Sequence, residues 1–356
     1  MLKRILGWLL AAAAVLAAEP VVAQTTQGTS VRLVEVATSP RRWTGLAVTP
    51  TGRLFVNFPR WSPDVPVSVA EVVGGRVVPW PDSARNAWAP GGDSLNQFIC
   101  VQALLADSSG SLWVLDPASP GLAGVVEGGA KLMRFDVATG ALQRAYRYAA
   151  PVIAPASYLN DVRVDLAAGI AYITDSGDGA IIVTDLATGA SRRLLDDDPS
   201  TESEDVVLSV EGRPWLQGGA RPRVHADGIA LSDDGRWLYY QALTSRTMYR
   251  VATAALRDRT LDARELSAQV EMMGRTGAAD GLIVGADGRV YISALEENAI
   301  TRFDPETRRV EAVVRDPRIK WPDSFARDAA GRIWFTTAQI HLGGQVTEPF
   351  RVFRIE

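Results

Sequence analysis

Six polar side chains recur at one place in a repeated pattern. Thr44, Gln102, Asp161, Asp227, Asp280 and Asp323 each stand eight residues before a glycine, and each opens an otherwise apolar run. Four of the six are carboxylates. In the third copy Asn160 precedes Asp161, and a turn one residue longer makes Asn160 the equivalent position. Carboxylates aimed at one point cannot all ionise unless a cation joins them, some keep protons, or arginine pairs with them. Oxygen-only donors favour Ca2+, Mg2+ or Mn2+ over zinc. The plainer alternative is that each Asp before Gly caps a turn and accepts local backbone N–H groups.

Other residues join this set by position. His225 lies two residues before Asp227, where it serves as an acid or base, or simply as a structural hydrogen-bonding group. Arg221 and Arg223, in the segment GGARPRV, hold an anionic ligand or balance the carboxylates. Asn57, Asp116 and Asp175 fall at strand ends near the same place, and His341 reads as an incidental loop residue. The chain has no G-x-S-x-G, H-E-x-x-H, C-x-x-C or glycine-rich phosphate loop, so serine hydrolase, zinc protease, redox and nucleotide chemistry lack support. A formal net charge of −4 without a basic block argues against a nucleic-acid partner. The lone cysteine, Cys100, precludes an intrachain disulfide and reads as a small core residue.

The elements that position these groups come from the same repeat. Each copy is a polar residue, an apolar strand, a glycine turn and a second apolar strand, as in DGIALSDDGRWLYYQ (227–241). The turn glycines are Gly52, Gly110, Gly169, Gly235, Gly288 and Gly331, and the flanking runs carry the Val, Ile, Leu, Trp and Tyr that strands prefer. A second hairpin follows most copies, as in KLMRFDVATGALQRAYRY (131–148). Four strands in each of six units predict an all-β, six-bladed β-propeller. The last unit is short of a strand, which VRLVEVA (31–37) can supply, closing the ring and protecting its edges. The first strand of each blade lines the central channel, so the six polar residues crowd one mouth. The segment 58–98, with Trp61, Trp80, Trp88 and Phe98, either covers that mouth or packs on the blades. The acidic run 196–205 reads as a solvated loop, and Ala254–Asp258 as a short helical turn.

Lys3 and Arg4 precede an apolar run from Ile5 to Ala18 and the small residues Val21-Val22-Ala23. That order is the pattern of a secretory signal peptide over 1–23, cleaved after Ala23, with a single propeller domain over 24–356. The run is short for an uncleaved membrane anchor. The expectation is a secreted or periplasmic monomer with no stable membrane span after cleavage.

Several segments resemble the major royal jelly protein/yellow family: LFVNFPRW (54–61), LWVLD (112–116), LNDVRVD (159–165), AYITDSGDGAIIVTDL (171–186) and DGIALSDDGRWLYYQALTSRTMYRV (227–251). The resemblance implies a secreted six-bladed propeller with a central small-molecule site, and includes amine binders and proteins linked to dopachrome conversion. Relatives' disulfide cysteines are missing here. A more distant similarity is to the regucalcin/gluconolactonase propellers, which are metal-dependent lactonases. It implies a divalent cation held by Asn160, Asp227 and Asp280, with Asp280 also as base. Thr44 stands where that group carries a Glu, and Asp323 is placed to compensate. Two functions follow as expectations. One is a metal-assisted lactonase-like hydrolase or isomerase, with Asp280 and His225 catalytic. The other is a non-catalytic binder of a small cyclic, aromatic or amine ligand, drawing on Thr44, Gln102, Asp161, Arg221, Arg223 and Asp323.

Overall fold

The computed structural model describes residues 31–356. The signal-peptide reading falls outside the described residues. The six turn glycines all adopt positive φ, between +68° and +86°, so each hairpin uses the backbone region that glycine reaches without strain. Six four-stranded antiparallel sheets result. Blade 1 runs Leu46–Val48, Leu54–Asn57, Val69–Val73 and Arg76–Pro79. Blade 2 runs Ala103–Ala106, Ser111–Asp116, Lys131–Asp136 and Leu142–Arg147. Blade 3 runs Leu159–Asp165, Ile170–Asp175, Ala180–Asp185 and Ser191–Leu194. Blade 4 runs Ala226–Leu231, Trp237–Ala242, Thr247–Ala252 and Glu271–Arg275. Blade 5 runs Ala279–Val284, Val290–Ala294, Ala299–Asp304 and Arg309–Arg315. Blade 6 runs Pro322–Arg327, Ile333–Thr337 and Phe350–Ile355, and takes its outer strand, Leu33–Ser39, from the start of the described chain.

This closing strand is antiparallel to the last one, with Leu33 opposite Ile355 and Ser39 opposite Phe350. The inner strands touch in cyclic order, the sixth returning to the first. Neighbouring blades are bonded by apolar clusters, such as Phe55, Trp80, Phe98 and Phe135 between blades 1 and 2. Segment 58–98 therefore does both things expected of it. It supplies the outer half of blade 1 and buries Trp80, Trp88 and Phe98, while Trp61 alone of these aromatics faces the channel mouth. The short turn near 254–258 is the helix Thr253–Arg257. Among the described residues no helix is long and apolar enough to cross a membrane.

The acidic run corrects its sequence reading. Asp198, Ser200 and Thr201 are buried, with Asp198 accepting from the Ser200 N–H and hydroxyl and Thr201 donating to the Leu195 carbonyl. Its later acids, Glu202, Glu204 and Asp205, face His225, Thr247 and Arg221. Asp196, Asp197 and Asp205 stay exposed, so the run is a connector between blades 3 and 4 that packs in its middle and is solvated at its ends.

Candidate functional site

The inner strands enter the channel through irregularities. In blades 3 to 6 the pairing register shifts at Leu159/Val162, Ala226/Gly228, Ala279/Leu282 and Pro322/Phe325. A bulge re-aims the residue it carries, and these bulges carry Asn160-Asp161, Asp227, Asp280-Gly281 and Asp323-Ser324. Glycine after two of the acids has a second reason. A Cβ on Gly228 would lie 2.4 Å from the Asp280 carbonyl oxygen, and one on Gly281 2.2 Å from that of Asp323. Neighbouring inner strands thus approach too closely for any side chain there, which draws Asp227, Asp280 and Asp323 together.

These three carboxyls are buried on the floor of a cavity of about 630 Å³ at the channel mouth. Asp227 and Asp280 lie close enough for the charge of one to act on the other. Trp321 Nε1 donates to Asp280 Oδ2 at 2.6 Å. Ser324 Oγ donates to Asp323 Oδ1 at 3.0 Å, and Asp323 Oδ2 is buried without a hydrogen-bond partner among the described residues. Burial pushes Asp280 up to about 7, against the pull of the Trp321 N–H. Burial and then the neighbouring carboxylates hold Asp227 and Asp323 well above the usual carboxylate range.

Asn160, not Asp161, is the third blade's residue at the mouth. Its Nδ2 donates to Asp227 Oδ2 at 2.7 Å and to Ser176 Oγ at 2.9 Å. The bulge turns Asp161 beneath the floor, where its Oδ1 takes a bond from Arg163 Nη1 at 3.0 Å. Arg163 Nη2 crosses the channel to the Leu282 carbonyl at 2.6 Å, closing the floor from below. Gln102 lines the cavity and donates through Nε2 to Asn160 Oδ1 at 3.3 Å. Thr44 does not line it: the buried hydroxyl accepts from Asn57 Nδ2 at 2.9 Å and donates to the Gln102 carbonyl at 3.2 Å.

The outlying candidates divide. Arg223 is at the rim, 3.7 Å from Glu202. Arg221 is drawn off to Asp205 and the Glu204 carbonyl. His225 turns away from the carboxyls, its Nδ1 2.8 Å from Glu202 Oε2 and 3.2 Å from the Ser203 amide. Asn57, Asp116 and Asp175 are wholly buried and are taken up by internal backbone and side-chain partners. Asp116 accepts from the Ile99, Cys100 and Ala118 amides, and Asp175 from the Tyr158 amide at 2.8 Å. Asp116 and Asp175 thereby fix the approach to their own blade's inner strand, while Asn57 Nδ2 donates to the Val101 and Gln102 carbonyls leading into the next. Cys100 is fully buried.

Among the cavity-lining residues that sequence reasoning missed are Arg42, Tyr158 and Trp321. Each lies two positions before its blade's site residue, the offset noticed only for His225. Trp321 takes φ +54°, an uncommon conformation for a bulky residue and one held here by packing. Its ring meets Trp215 edge-on at 4.7 Å on one side and stacks on His341 at 5.8 Å. His341 is therefore no incidental loop residue: its Nε2 lies 2.8 Å from Glu211 Oε2 and burial lowers its pKa. Arg42 lies 6.0 Å over the Trp61 ring, with its N–H groups on the Ala338 and Gly343 carbonyls.

A divalent cation at this floor needs oxygens turned toward it. Asn160 offers its amide nitrogen, Thr44 is sealed in the seam between blades 1 and 2, and Asp280 already takes the Trp321 N–H. Among the described residues no three His, Cys, Asp or Glu side chains are grouped as ligands to one ion. As arranged, the donor set does not fit the cation.

A model of the major royal jelly protein family matches residues 99–345. The protein yellow of Drosophila subobscura is 25% identical over 270 residues, 70% of this chain and 46% of that protein. The chain thus spans about half the length of the curated relatives it matches. Among solved structures, a gluconolactonase from Xanthomonas campestris superposes with a TM-score of 0.58 at 16% identity, covering 92% of this chain and 90% of that one. Virginiamycin B lyase from Staphylococcus aureus gives 0.50 at 15%, covering 86% and 82%. At those identities the likeness to the solved structures is one of fold.

Proposed function

This chain belongs to the major royal jelly protein family, and we propose that its channel mouth captures a small organic cation bearing an aromatic ring. What carries the reading is the charge balance of the floor. Asp161 and Arg163 offset each other. Arg42 acts on Asp323. Asp227 and Asp280 are left with no cation of their own, so they keep protons or take a charge from outside. A ligand ammonium supplies that charge, and the Trp61, Tyr158, Trp215 and Trp321 walls suit the rest of it. Titration calorimetry with phenethylamine and tryptamine, against their neutral N-acetyl derivatives and phenylacetate, tests this. The amines bind and the others do not, and Asp227→Asn weakens the amines by about tenfold or more, the loss of a charged hydrogen bond. Equal binding of the neutral analogues overturns the reading.

One observation favours a second reading. A carboxyl held at about 7 beside a fixed N–H donor can give and take a proton near neutral pH. On that reading Asp280 serves lactone hydrolysis or the isomerisation of a cyclic substrate. Acid release from a lactone panel, lost in Asp280→Asn, supports it; an inert panel removes it. The leader is read as an export signal, so that chain recovered from outside the cytoplasm begins at Gln24; an N-terminus still at Met1 contradicts this.

A further inference from the structure

We infer that Gln102 is a specificity-determining residue that closes the channel floor to divalent cations by fixing which end of the Asn160 amide faces Asp227. The inference concerns metal ions and stands independently of the organic-cation reading.

The argument rests on the direction of a chain of hydrogen bonds drawn from four blades. Trp61 Nε1 donates to Tyr158 Oη at 2.8 Å. Tyr158 Oη donates to Gln102 Oε1 at 2.9 Å. Gln102 Nε2 donates to Asn160 Oδ1 at 3.3 Å, and Asn160 Nδ2 donates to Asp227 Oδ2 at 2.7 Å. An indole can only donate, so Tyr158 is the acceptor at Trp61, and its hydroxyl proton turned to Gln102 Oε1 sets the sense of the rest. Tyr158 accepts from Trp61 and spends its single proton on Gln102. Gln102 then has its oxygen committed and presents its NH2 to Asn160. Asn160 must answer with oxygen, which leaves its own NH2 for Asp227. Asp227 Oδ2 accepts that N–H, as a carboxylate or as the carbonyl oxygen of a protonated carboxyl, and ends the chain. Reversing Asn160 sets two NH2 groups against each other at Gln102.

A divalent cation coordinates oxygen and is repelled by an N–H. The Asn160 amide is thereby removed from the ligand set, although its residue type and position fit that set. Thr44, where a carboxylate is expected, makes no approach because its hydroxyl is locked between Asn57 and the Gln102 backbone. Gln102 thus acts at both points, through its side chain and through its carbonyl.

The test compares full-length, EDTA-treated wild type with Gln102→Glu and Gln102→Leu. Glutamate offers only acceptors, so Asn160 turns its NH2 to residue 102 and its oxygen to the floor; leucine removes the clamp at similar volume. Thermal melts and titration calorimetry are run with CaCl2, MnCl2 and MgCl2 up to about 1 mM, the weak end of protein calcium sites. Wild type is expected to show neither a melting shift nor heat. Gln102→Glu gains cation binding at least about tenfold tighter than wild type, lost again with Asp227→Asn. Should Gln102→Glu fail to fold by circular dichroism, the same gain is required of Gln102→Leu. A wild-type melting temperature raised by any of the three ions and reset by Asp227→Asn overturns the inference. So does a folded Gln102→Glu that stays as unresponsive as wild type. Amine binding is scored separately, so failure here and failure of the organic-cation reading are told apart.

Discussion

Asp280→Asn should make the protein more stable at alkaline pH while weakening its site. The substitution keeps the side chain's shape and an oxygen for the Trp321 N–H, and removes the ionisation. In the fold the Asp280 carboxyl titrates at about 7, against 3.8 in an unfolded chain. At 1.36 kcal/mol per pH unit, ionising it in the fold is harder by about 4 kcal/mol. Between about pH 4 and pH 7 the folded state holds a proton that the unfolded chain has released. Stability therefore falls as pH rises through that window, by at most about 1.4 kcal/mol per unit for this group, and is undiminished below pH 4. The raised Asp227 and Asp323 carboxyls add to the decline in the same direction. The assay is urea unfolding of wild type and Asp280→Asn at half-unit steps from pH 4 to pH 8.5. The two coincide near pH 4 and diverge upward, the variant reaching an advantage of about 4 kcal/mol at pH 8. With a urea slope of roughly 3 to 4 kcal/mol per molar for a chain of this size, its midpoint lies about 1 M higher. Parallel profiles, or a variant weaker than wild type at pH 8, refute the picture of desolvated carboxyls forced together.

Three further outcomes follow from the surrounding structure. Asp116→Asn strands the Lys131 ammonium, which is fully buried 3.2 Å from Asp116, and should destabilise the fold by about 3 to 5 kcal/mol in urea unfolding. Gly281→Ala drives a methyl group against the Asp323 carbonyl and should lose about 3 kcal/mol, read as a lower melting temperature. Deleting the closing strand Leu33–Ser39 leaves Phe350–Ile355 as a bare sheet edge and should convert the protein from a single species to aggregates on size exclusion.

The ring was legible in the sequence because a propeller repeats a local rule. Each hairpin needs a positive-φ residue at a set distance from the strand start, and six glycines meet it. Counting back from them reached Gln102, Asp227, Asp280 and Asp323, all on the cavity wall. In blade 3 the count left both Asn160 and Asp161 open, because a bulge holds the two and only pairing to the next strand tells which one faces the mouth. It failed at Thr44: the position is equivalent, but a hydroxyl too short to cross the channel bonds to the seam instead. The residues two places earlier share no chemistry. They are Arg42, Cys100, Tyr158, His225, Ala278 and Trp321, so no pattern of residue type marks them.

His225 and Trp321 show why position alone underdetermines the site. Both stand two residues before a floor aspartate. Trp321 is turned over the floor by a positive φ and wedged there between Trp215 and His341. His225 is drawn outward by Glu202, a residue of the acidic connector that the sequence reads as solvent-exposed. Misreading one loop therefore changes the orientation of a residue more than twenty positions away. The deeper gap concerns direction. An asparagine at position 160 is the same letter whether it presents oxygen or nitrogen to Asp227. That choice is made by a hydrogen-bond chain running from Trp61 through Tyr158 and Gln102. A ligand set inferred from residue identity misses such wiring. The presence of an Asn, two Asp and a third acid at this mouth is compatible with opposite ligands, and the proton positions between them separate the two.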